Sequence, residues 1–317
     1  MTIDVNIRPV KRQATIAADV KFSGVALHGG MEVQVTLKPA PIGSGIVFVR
    51  TDLDDDNTII VSPDTVTNVR QCTTVCNKSG VSVATIEHLM AALSASGIDN
   101  LIVDIDGPEV PALDGSSEPF LKMVEQAKIR SQSAPRSYIK VLRSIEVIAG
   151  EAYARIDPAP CLQLDVTIDF QEKIIGRQRI EIEPDVKDFR ERLASARTFA
   201  RAHEVAALRE AGLSLGGSYD NAVVVDGDKV LNPNGLRYSD EFVRHKALDL
   251  LGDLYVAGPI LGHVIAVRAG HALNHKLLCA LFADKTAWEY TQVNSLDVTA
   301  LDAFDPVSTL EEIASAL

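Results

Sequence analysis

Hydrophobic and polar positions alternate in several short segments, and this period of two predicts β-strands. The clearest of them are Ile46–Val49, Leu101–Ile105, Leu162–Ile168 and Val264–Val267. Apolar residues at 86, 89, 90 and 93 repeat instead at helical spacing, which predicts a helix capped by Thr85 and ended by Gly97. A longer helix is predicted from about Asp188 to Ala211, before a glycine turn and the strand Ala222–Val225.

The order of these elements is similar in the two halves of the chain. A Pro-Ala-Pro tripeptide at 39–41 recurs at 158–160, each time before an alternating strand. A helix near His88 and another near His245 each lead through a glycine into a further strand. The first pair of landmarks is 119 residues apart and the second 157, so the second half holds 38 extra residues between them. Chance similarity between two unrelated β-to-α segments remains an alternative to duplication.

If the halves are duplicates, each is a sheet with helices packed on one face, an α+β arrangement. The polar run 131–137 is the predicted linker between a first domain, residues 1–130, and a second, residues 138–300. The extra residues predict an insert near 171–225 in the second domain. Residues 301–317 form the predicted C-terminal tail, to which we assign no site.

Composition and charge exclude several classes of protein. The chain has 317 residues, and 43 acidic against 31 basic side chains give a net charge of −12. Such a surface repels a phosphate backbone, so we expect no nucleic-acid partner. Four scattered cysteines and the lack of an apolar signal segment favour a cytoplasmic protein. The apolar stretch Leu248–Val267 carries three ionisable residues, so we predict a helix, a turn and a strand there rather than a transmembrane segment.

Glu87 and His88 fall in the first turn of the helix predicted after Thr85. At that position the helix dipole favours a carboxylate and a neutral imidazole, and a histidine that binds a metal must be neutral. His88 is therefore a candidate ligand. The alternative, which this motif alone favours, is that Glu87 complements the dipole and His88 is a polar boundary residue.

His245 and Asp249 are four residues apart in the segment 240–254. On a helix this spacing puts both side chains on one face, with Cβ atoms roughly 6 Å apart, within reach of one metal ion. Asp253 continues the face one turn later. The solvated face of an amphipathic helix has the same pattern, so periodicity leaves both interpretations open.

His271 follows Gly270 between a predicted strand and the last predicted helix, where loops commonly hold functional groups. A lone loop histidine is more often only surface. Together, however, His88, His245 and Asp249 form the three-ligand set typical of catalytic zinc. Glu87 adds the spare carboxylate that a hydrolytic site uses as a general base. The combined set favours metal-assisted hydrolysis over a structural metal, which usually has four cysteine-rich ligands.

Further motifs follow one another along nearly the whole chain. They are Gly24–Gly29, Thr85–Leu89, Gly97–Asn100, Glu109–Ser116, Ala196–Phe199, Leu215–Ser218, Val230–Asn232, Phe242–Lys246 and Gly270–Asn274. In these motifs the chain resembles the UDP-3-O-acyl-N-acetylglucosamine deacetylases, zinc amidases of lipid A biosynthesis. The resemblance implies two α+β domains of similar topology, with helices packed between two mainly antiparallel sheets and a small insert in each domain.

The resemblance also implies an activity, hydrolysis of the N-acetyl group of UDP-3-O-(3-hydroxyacyl)-N-acetylglucosamine with release of acetate. Zn²⁺ is implied as the cofactor, one ion per chain, with Fe²⁺ as a candidate in cells. The implied metal ligands are His88, His245 and Asp249. Two alternatives stay open, a non-catalytic nucleotide-sugar-binding protein and a metal amidohydrolase for another N-acyl sugar.

Roles for single residues follow from the same resemblance. The implied catalytic groups are Glu87 as general base and His271 as the cationic partner that helps stabilise the oxyanion and acts as general acid. Thr198 is implied as a hydrogen-bond donor to the oxyanion, Lys246 as a further positive charge in the site, and Asp253 as the carboxylate that orients His271. The implied substrate-binding residues are Phe199, Gly217, Lys246 and Arg268, and Val205, Leu213 and Leu215 are candidates for an acyl passage. Ala200 and Arg201 replace the glycine and aromatic residue usual in the family, so we expect an altered passage mouth. The expected partner is a UDP-acyl-sugar, and the expected state is a monomer.

Overall fold

The computed structural model describes residues 11–292. Its strands are β1 (Arg12–Ile16), β2 (Val20–Val25), β3 (Glu32–Pro39), β4 (Ile46–Arg50), β5 (Thr58–Ile60), β6 (Val66–Asn68), β7 (Thr74–Cys76), β8 (Ser82–Val83), β9 (Leu101–Ile105), β10 (Ile129–Pro135), β11 (Tyr138–Val141), β12 (Ile145–Ala149), β13 (Ala152–Asp157), β14 (Leu162–Asp169), β15 (Arg177–Ile182), β16 (Phe199–Arg201), β17 (Val223–Asp226), β18 (Lys229–Val230), β19 (Ile260–Val267) and β20 (Trp288–Thr291). Its helices are α1 (Glu87–Ser96), α2 (Glu118–Ala127), α3 (Val186–Asp188), α4 (Ala202–Glu210), α5 (Glu241–Tyr255) and α6 (His271–Ala283), with a 3₁₀ turn at Pro63–Thr65 and a π-helical turn at Phe189–Leu193. Helices and mainly antiparallel strands confirm the predicted α+β class.

Two large sheets share one strand order. The first is β2-β3-β9-β4-β5, and the second contains β12-β13-β19-β14-β15, with β11 paired to the start of β19 and β20 paired to β11. In each sheet the central strand runs antiparallel to one neighbour and parallel to another, β9 to β3 and β4, and β19 to β13 and β14. β19 also runs parallel to β11. The repeat seen in the sequence therefore has a counterpart in the pairing of the strands.

The helices that precede the central strands meet each other. α1 leads into β9 and α5 leads into β19, and these two helices are in direct contact. α2 packs against α1 and β2, while α6 packs against α5, β12 and β13. Gly252 makes the close approach of α1 and α5 possible, because a Cβ atom there would lie 2.0 Å from the backbone oxygen of Glu87.

The cap of α1 differs from the prediction at one end. Gly97 ends the helix in the left-handed conformation, with φ 68°, as predicted. Thr85 is not the N-cap, because Ile86 occupies that position. Thr85 instead directs its hydroxyl to the Glu109 carboxylate, with Oγ1 and Oε1 3.0 Å apart.

Each half has a small three-stranded sheet that comes, along the chain, after the last strand of its large sheet's shared order and before its central helix. It is β6-β7-β8, between β5 and α1, in the first half and β16-β17-β18, between β15 and α5, in the second. Within the range predicted as an insert, 171–225, residues 177–182 form β15 of the large sheet, and β16 and β17 belong to the small sheet that ends with β18. The single helix predicted from Asp188 to Ala211 is wrong. Residues 199–201 are extended and pair in parallel with 223–225, so α4 begins only at Ala202.

The segment 131–137, predicted as a linker, is largely a strand. β10 pairs antiparallel with β1, and Ile129 lies opposite Ile16. Its side chains are exposed or half-buried, which explains why its polar composition resembles a linker. The predicted tail at 301–317, and the end of the second predicted domain after 292, lie outside the described residues.

The apolar stretch Leu248–Val267 consists of the second half of α5, a turn at Gly258 and β19, as predicted. Within residues 11–292, no helix combines the length and the apolar character needed to cross a bilayer. The four cysteines, Cys72, Cys76, Cys161 and Cys279, are free thiols.

Candidate metal centre and active site

The three predicted metal ligands meet although they come from opposite halves of the chain. His88 lies in the first turn of α1, and His245 and Asp249 lie on successive turns of α5. One ligand atom from each lies within 4.8 Å of the others, and all three residues are buried. Asp249 Oδ1 is 3.5 Å from His88 Nε2 and 3.2 Å from His245 Nε2.

The protonation of this cluster fits a divalent metal ion. His245 Nδ1 lies 3.1 Å from the carbonyl oxygen of Ala196, so Nδ1 donates its proton there and Nε2 keeps a lone pair toward Asp249. Burial lowers the pKa of His245 to about 3, so the ring is neutral. Asp249 Oδ1 is buried without a hydrogen-bond donor among the described residues. Two imidazole nitrogens and one carboxylate oxygen are ligands that zinc prefers.

Glu87 places a further carboxylate beside the ligand cluster. The residue is 3% exposed, and Oε2 accepts the backbone N–H of Thr73 at 3.0 Å. Oε1 lies 4.0 Å from His271 Nε2. Burial raises the pKa of Glu87, and the neighbouring His271 opposes part of this rise. A carboxylate with a raised pKa accepts a proton more readily than an ordinary glutamate, as a general base must.

His271 begins α6 and is oriented by Asp253 of α5. His271 Nδ1 lies 2.8 Å from Asp253 Oδ2, and Asn274 Nδ2 donates to the same oxygen at 2.8 Å. Burial alone lowers the pKa of His271, but the carboxylates of Asp253, then Glu87 and Asp249, outweigh it and raise the pKa to about 9. The ring is therefore an imidazolium at neutral pH, with Nε2 available as an acid.

Lys246 and Thr198 line the same cavity as the cluster. Lys246 Nζ is 2.8 Å from Asp249 Oδ2 and 5.5 Å from the centre of the Phe199 ring. Burial lowers the pKa of Lys246, but Asp249 outweighs this and leaves it raised, so the amine stays charged. The Thr198 N–H donates to the Gly115 carbonyl at 2.8 Å, and the Thr198 carbonyl accepts the N–H of Val223 at 2.7 Å.

Gly115, in the motif 109–116, is required by the close packing of the chain beside Thr198. A Cβ atom on Gly115 would lie 1.9 Å from the backbone oxygen of Asn221, and its φ is 79°. Only glycine adopts that conformation without strain while allowing such a close approach. The first half of the chain thereby packs closely against Asn221 and against Thr198, the residue directly before β16.

Two neighbouring cavities open around these residues. The cavity at the ligand cluster has a volume of about 420 Å³ and the adjoining, more apolar one about 550 Å³. Leu27, Thr198 and Phe199 line both. Gly217 and Val205 line the apolar cavity. Leu213 and Leu215 do not, and the Leu215 side chain is 54% exposed.

Arg268 and Arg201 both have partners of their own. Arg268 borders the cavity at the ligand cluster, but its guanidinium pairs with Glu151 and lies 2.7 Å from Asp169. Ala200 lines the apolar cavity, whereas the Arg201 side chain pairs with Glu204 and Glu172.

Two polar residues that donate hydrogen bonds to Asp253 were not singled out in the sequence. Asn274 lies three residues after His271 on α6, and this spacing was a usable signal that both share a helix face. Thr73 donates its hydroxyl to Asp253 Oδ1 at 2.6 Å across 180 residues of sequence. No local pattern indicates that contact, because it depends on the packing of the two halves.

The fold and this site define a class of protein, an α+β enzyme with a buried cluster of two histidines and one aspartate that could hold a metal ion. A sequence profile of the family described as UDP-3-O-acyl N-acetylglycosamine deacetylase matches residues 13–283. The chain belongs to this family of hydrolases.

Individual proteins similar to this chain carry the name of the same family. The UDP-3-O-acyl-N-acetylglucosamine deacetylase of Phenylobacterium zucineum is 50% identical over 278 residues, which cover 87% of this chain and 95% of that protein. The protein of the same name from Idiomarina loihiensis is 42% identical over 302 residues, 94% of this chain and 99% of that protein. The one from Myxococcus xanthus is 44% identical over 278 residues, 87% and 88% of the two chains.

Proposed function

We propose that this enzyme hydrolyses the N-acetyl group of UDP-3-O-(3-hydroxyacyl)-N-acetylglucosamine and releases acetate, an early committed step of lipid A biosynthesis in the cytoplasm. The observation that carries this proposal is the pairing of Glu87 with His271 at the edge of the buried ligand cluster, 4.0 Å apart at Oε1 and Nε2. A base and an acid at this separation suit attack and departure at one amide carbon. The relatives' shared name adds the substrate class.

His88, His245 and Asp249 would hold the metal, with Zn²⁺ the first candidate and Fe²⁺ the second. When bound, such an ion polarises a carbonyl oxygen and makes water more acidic. Glu87 then takes a proton from the attacking water, and His271 gives a proton to the departing amine nitrogen. Lys246 and the Thr198 hydroxyl stabilise the negative charge that develops on the amide oxygen. Asp253 keeps the His271 ring in the orientation and tautomer that this transfer needs.

The two cavities suit the two ends of the proposed substrate. The apolar cavity, with Phe199 and Gly217 in its wall, would hold the acyl chain. Lys246 and Arg268 would provide positive charge for the anionic nucleotide. Because the guanidinium of Arg268 already pairs with Glu151 and Asp169, we expect its contribution to be smaller than that of Lys246.

We also propose that residues 1–130 and 138–300 are two domains of one plan and that the enzyme acts as a monomer. The shared strand order of the large sheets supports this division. The candidate site draws its ligands from both α1 and α5 of a single chain, so it needs no second copy.

The proposal predicts zinc-dependent release of acetate from the purified protein. Acetate should form from the 3-O-acylated UDP-N-acetylglucosamine, stop after treatment with a chelator and return when zinc is added. The same sugar nucleotide without the acyl chain should react much more slowly, since it leaves the apolar cavity empty. Equal rates with both substrates would instead indicate an amidohydrolase for other N-acyl sugars, and binding without acetate release would indicate a binding protein.

Replacement of the proposed base tests the mechanism directly. The Glu87→Gln variant should lower kcat by roughly 10²–10⁴, the usual contribution of a general base. Metal analysis should show zinc retained, because Glu87 is not among the three proposed ligands. The matched variant His245→Ala should lose zinc as well as activity. Near-normal turnover of Glu87→Gln would refute the assigned role.

A further inference from the structure

Thr73 connects the proposed base to the proposed acid. It lies directly before β7, and its backbone N–H donates to Glu87 Oε2 at 3.0 Å. Its hydroxyl donates to Asp253 Oδ1 at 2.6 Å, and the residue is only 2% exposed. One buried residue thus contacts Glu87 directly and reaches His271 through Asp253.

Both ends of this connection are held in place. The Thr73 carbonyl accepts the N–H of Ile86 at 3.3 Å, immediately before α1. The Asp253 carboxylate receives the Thr73 hydroxyl on Oδ1, and Asn274 Nδ2 and His271 Nδ1 on Oδ2. Among residues 11–292, Thr73 is the one donor to Oδ1, so its hydroxyl helps to fix the orientation of the Asp253 carboxylate.

We propose that Thr73 is a positioning residue for the deacetylation, whose hydroxyl fixes Asp253 so that His271 presents Nε2 to the same reaction centre at which Glu87 acts. The inference rests on the roles proposed above for Glu87 and His271. Thr73 acts through other residues, and its distinctive property is that it belongs to the first half of the chain while Asp253 and His271 belong to the second.

Removing the hydroxyl has two physical consequences. The buried Oδ1 of Asp253 loses its donor, so the carboxylate and the attached imidazole are less well oriented. The hydroxyl also stabilises the negative charge of the Asp253 carboxylate. Glu87 of α1 and Asp249 of α5 add negative charge around His271, and this charge is least compensated when His271 is neutral. Without the hydroxyl, His271 therefore holds its proton more tightly.

Three variants of the full-length zinc enzyme test the proposal. Thr73→Val keeps the shape and removes the hydroxyl, Thr73→Ser keeps the hydroxyl, and Thr74→Val makes the matched change at a neighbouring buried threonine whose Oγ1 lies 3.8 Å from Cys72 Sγ. We expect Thr73→Val to lower kcat roughly 10-fold to 100-fold, with KM changed less than about threefold because no substrate contact is lost. The alkaline limb of its pH profile should move to higher pH. Thr73→Ser and Thr74→Val should stay within about threefold of the parent enzyme.

The outcomes separate this inference from the proposed function. Unchanged kcat in Thr73→Val, together with an inactive Glu87→Gln, would overturn the role of Thr73 and leave the proposed function intact. Equal losses in Thr73→Val and Thr74→Val, or no recovery in Thr73→Ser, would also overturn it by showing a merely structural effect. Zinc content and the unfolding midpoint, measured on each variant, identify a loss due to folding, and a folding loss that serine does not repair counts against the proposal. Full activity in Glu87→Gln would overturn the proposed function itself.

Discussion

Glu87 and His271 have raised pKa values for different physical reasons, although their side chains lie 4.0 Å apart. For Glu87 the cause is burial, which disfavours the carboxylate. For His271 burial acts in the other direction and is outweighed by three carboxylates, Asp253 foremost. Each group is thereby adjusted toward its proposed task, a carboxylate that takes up a proton and an imidazolium that gives one up.

The pH dependence of kcat/KM should therefore be bell-shaped, with His271 on the alkaline side. The reaction needs His271 protonated, so activity falls as pH rises through its pKa, which the surrounding charges raise to about 9. In Asp253→Asn the main charge that raises this pKa is gone, so the alkaline limb should move to lower pH. A pH–rate series on both proteins measures this, and an unmoved limb would contradict the assignment of His271 as the acid.

At the scale of elements, the site depends on how closely α1 and α5 approach each other. A glycine inside a helix costs about 1 kcal/mol relative to alanine in intrinsic propensity, so Gly252 needs a tertiary reason. The structure supplies one, because the backbone oxygen of Glu87 occupies the place where a Cβ atom would be, 2.0 Å away. The contact that joins the helices also sets the position of the proposed base.

Gly252→Ala should therefore destabilise the protein despite its better helix propensity. We expect a loss of about 1–3 kcal/mol in the free energy of unfolding, or more, as for overpacking elsewhere in protein cores. Urea denaturation measures this, and Lys122→Ala on the exposed face of α2 is a control expected within about 0.5 kcal/mol of the parent. Greater stability in Gly252→Ala would show that the helices can separate without cost.

At the scale of the whole molecule, neither half carries all three of the proposed metal ligands. His88 belongs to the half that contains the first large sheet, and His245 and Asp249 belong to the half that contains the second. A metal ion at this position would therefore link the two halves, in addition to the contact between α1 and α5. Any ligand that binds only the folded state stabilises it by mass action.

Zinc should accordingly raise the stability of the intact chain. At a free concentration one hundred times the Kd, the gain is about 2.7 kcal/mol. Thermal unfolding of the chelated protein, with and without added zinc, measures the shift. His245→Ala should show no such shift, and an equal response in that variant would place the stabilising ion elsewhere.

Sequence patterns predicted elements where local periodicity reports burial, and failed where distant contacts decide. β9, β19 and the glycine end of α1 follow from alternation and capping alone. The predicted helix at 188–211 is broken because residues 199–201 pair with a strand more than twenty residues later. The polar run at 131–137 lies largely in β10, which pairs with β1. Because the side chains of β10 are exposed or half-buried, its composition resembles that of a linker.

The α+β class, the types of the candidate ligands and the resemblance to a hydrolase family could be inferred from the sequence alone. Residue spacing and the order of motifs can be read directly from the chain without knowledge of its folded contacts. Only the tertiary structure decided that His88 meets His245 and Asp249, and that the guanidinium of Arg268 pairs with other side chains. The hydrogen bond from Thr73 to Asp253 is likewise visible only in the tertiary structure. The ligand cluster and the Thr73–Asp253 contact depend on the packing of the two halves, whereas the pairs of Arg268 depend on the pairing of strands within the second half. A local pattern in the sequence carries no record of such distant contacts.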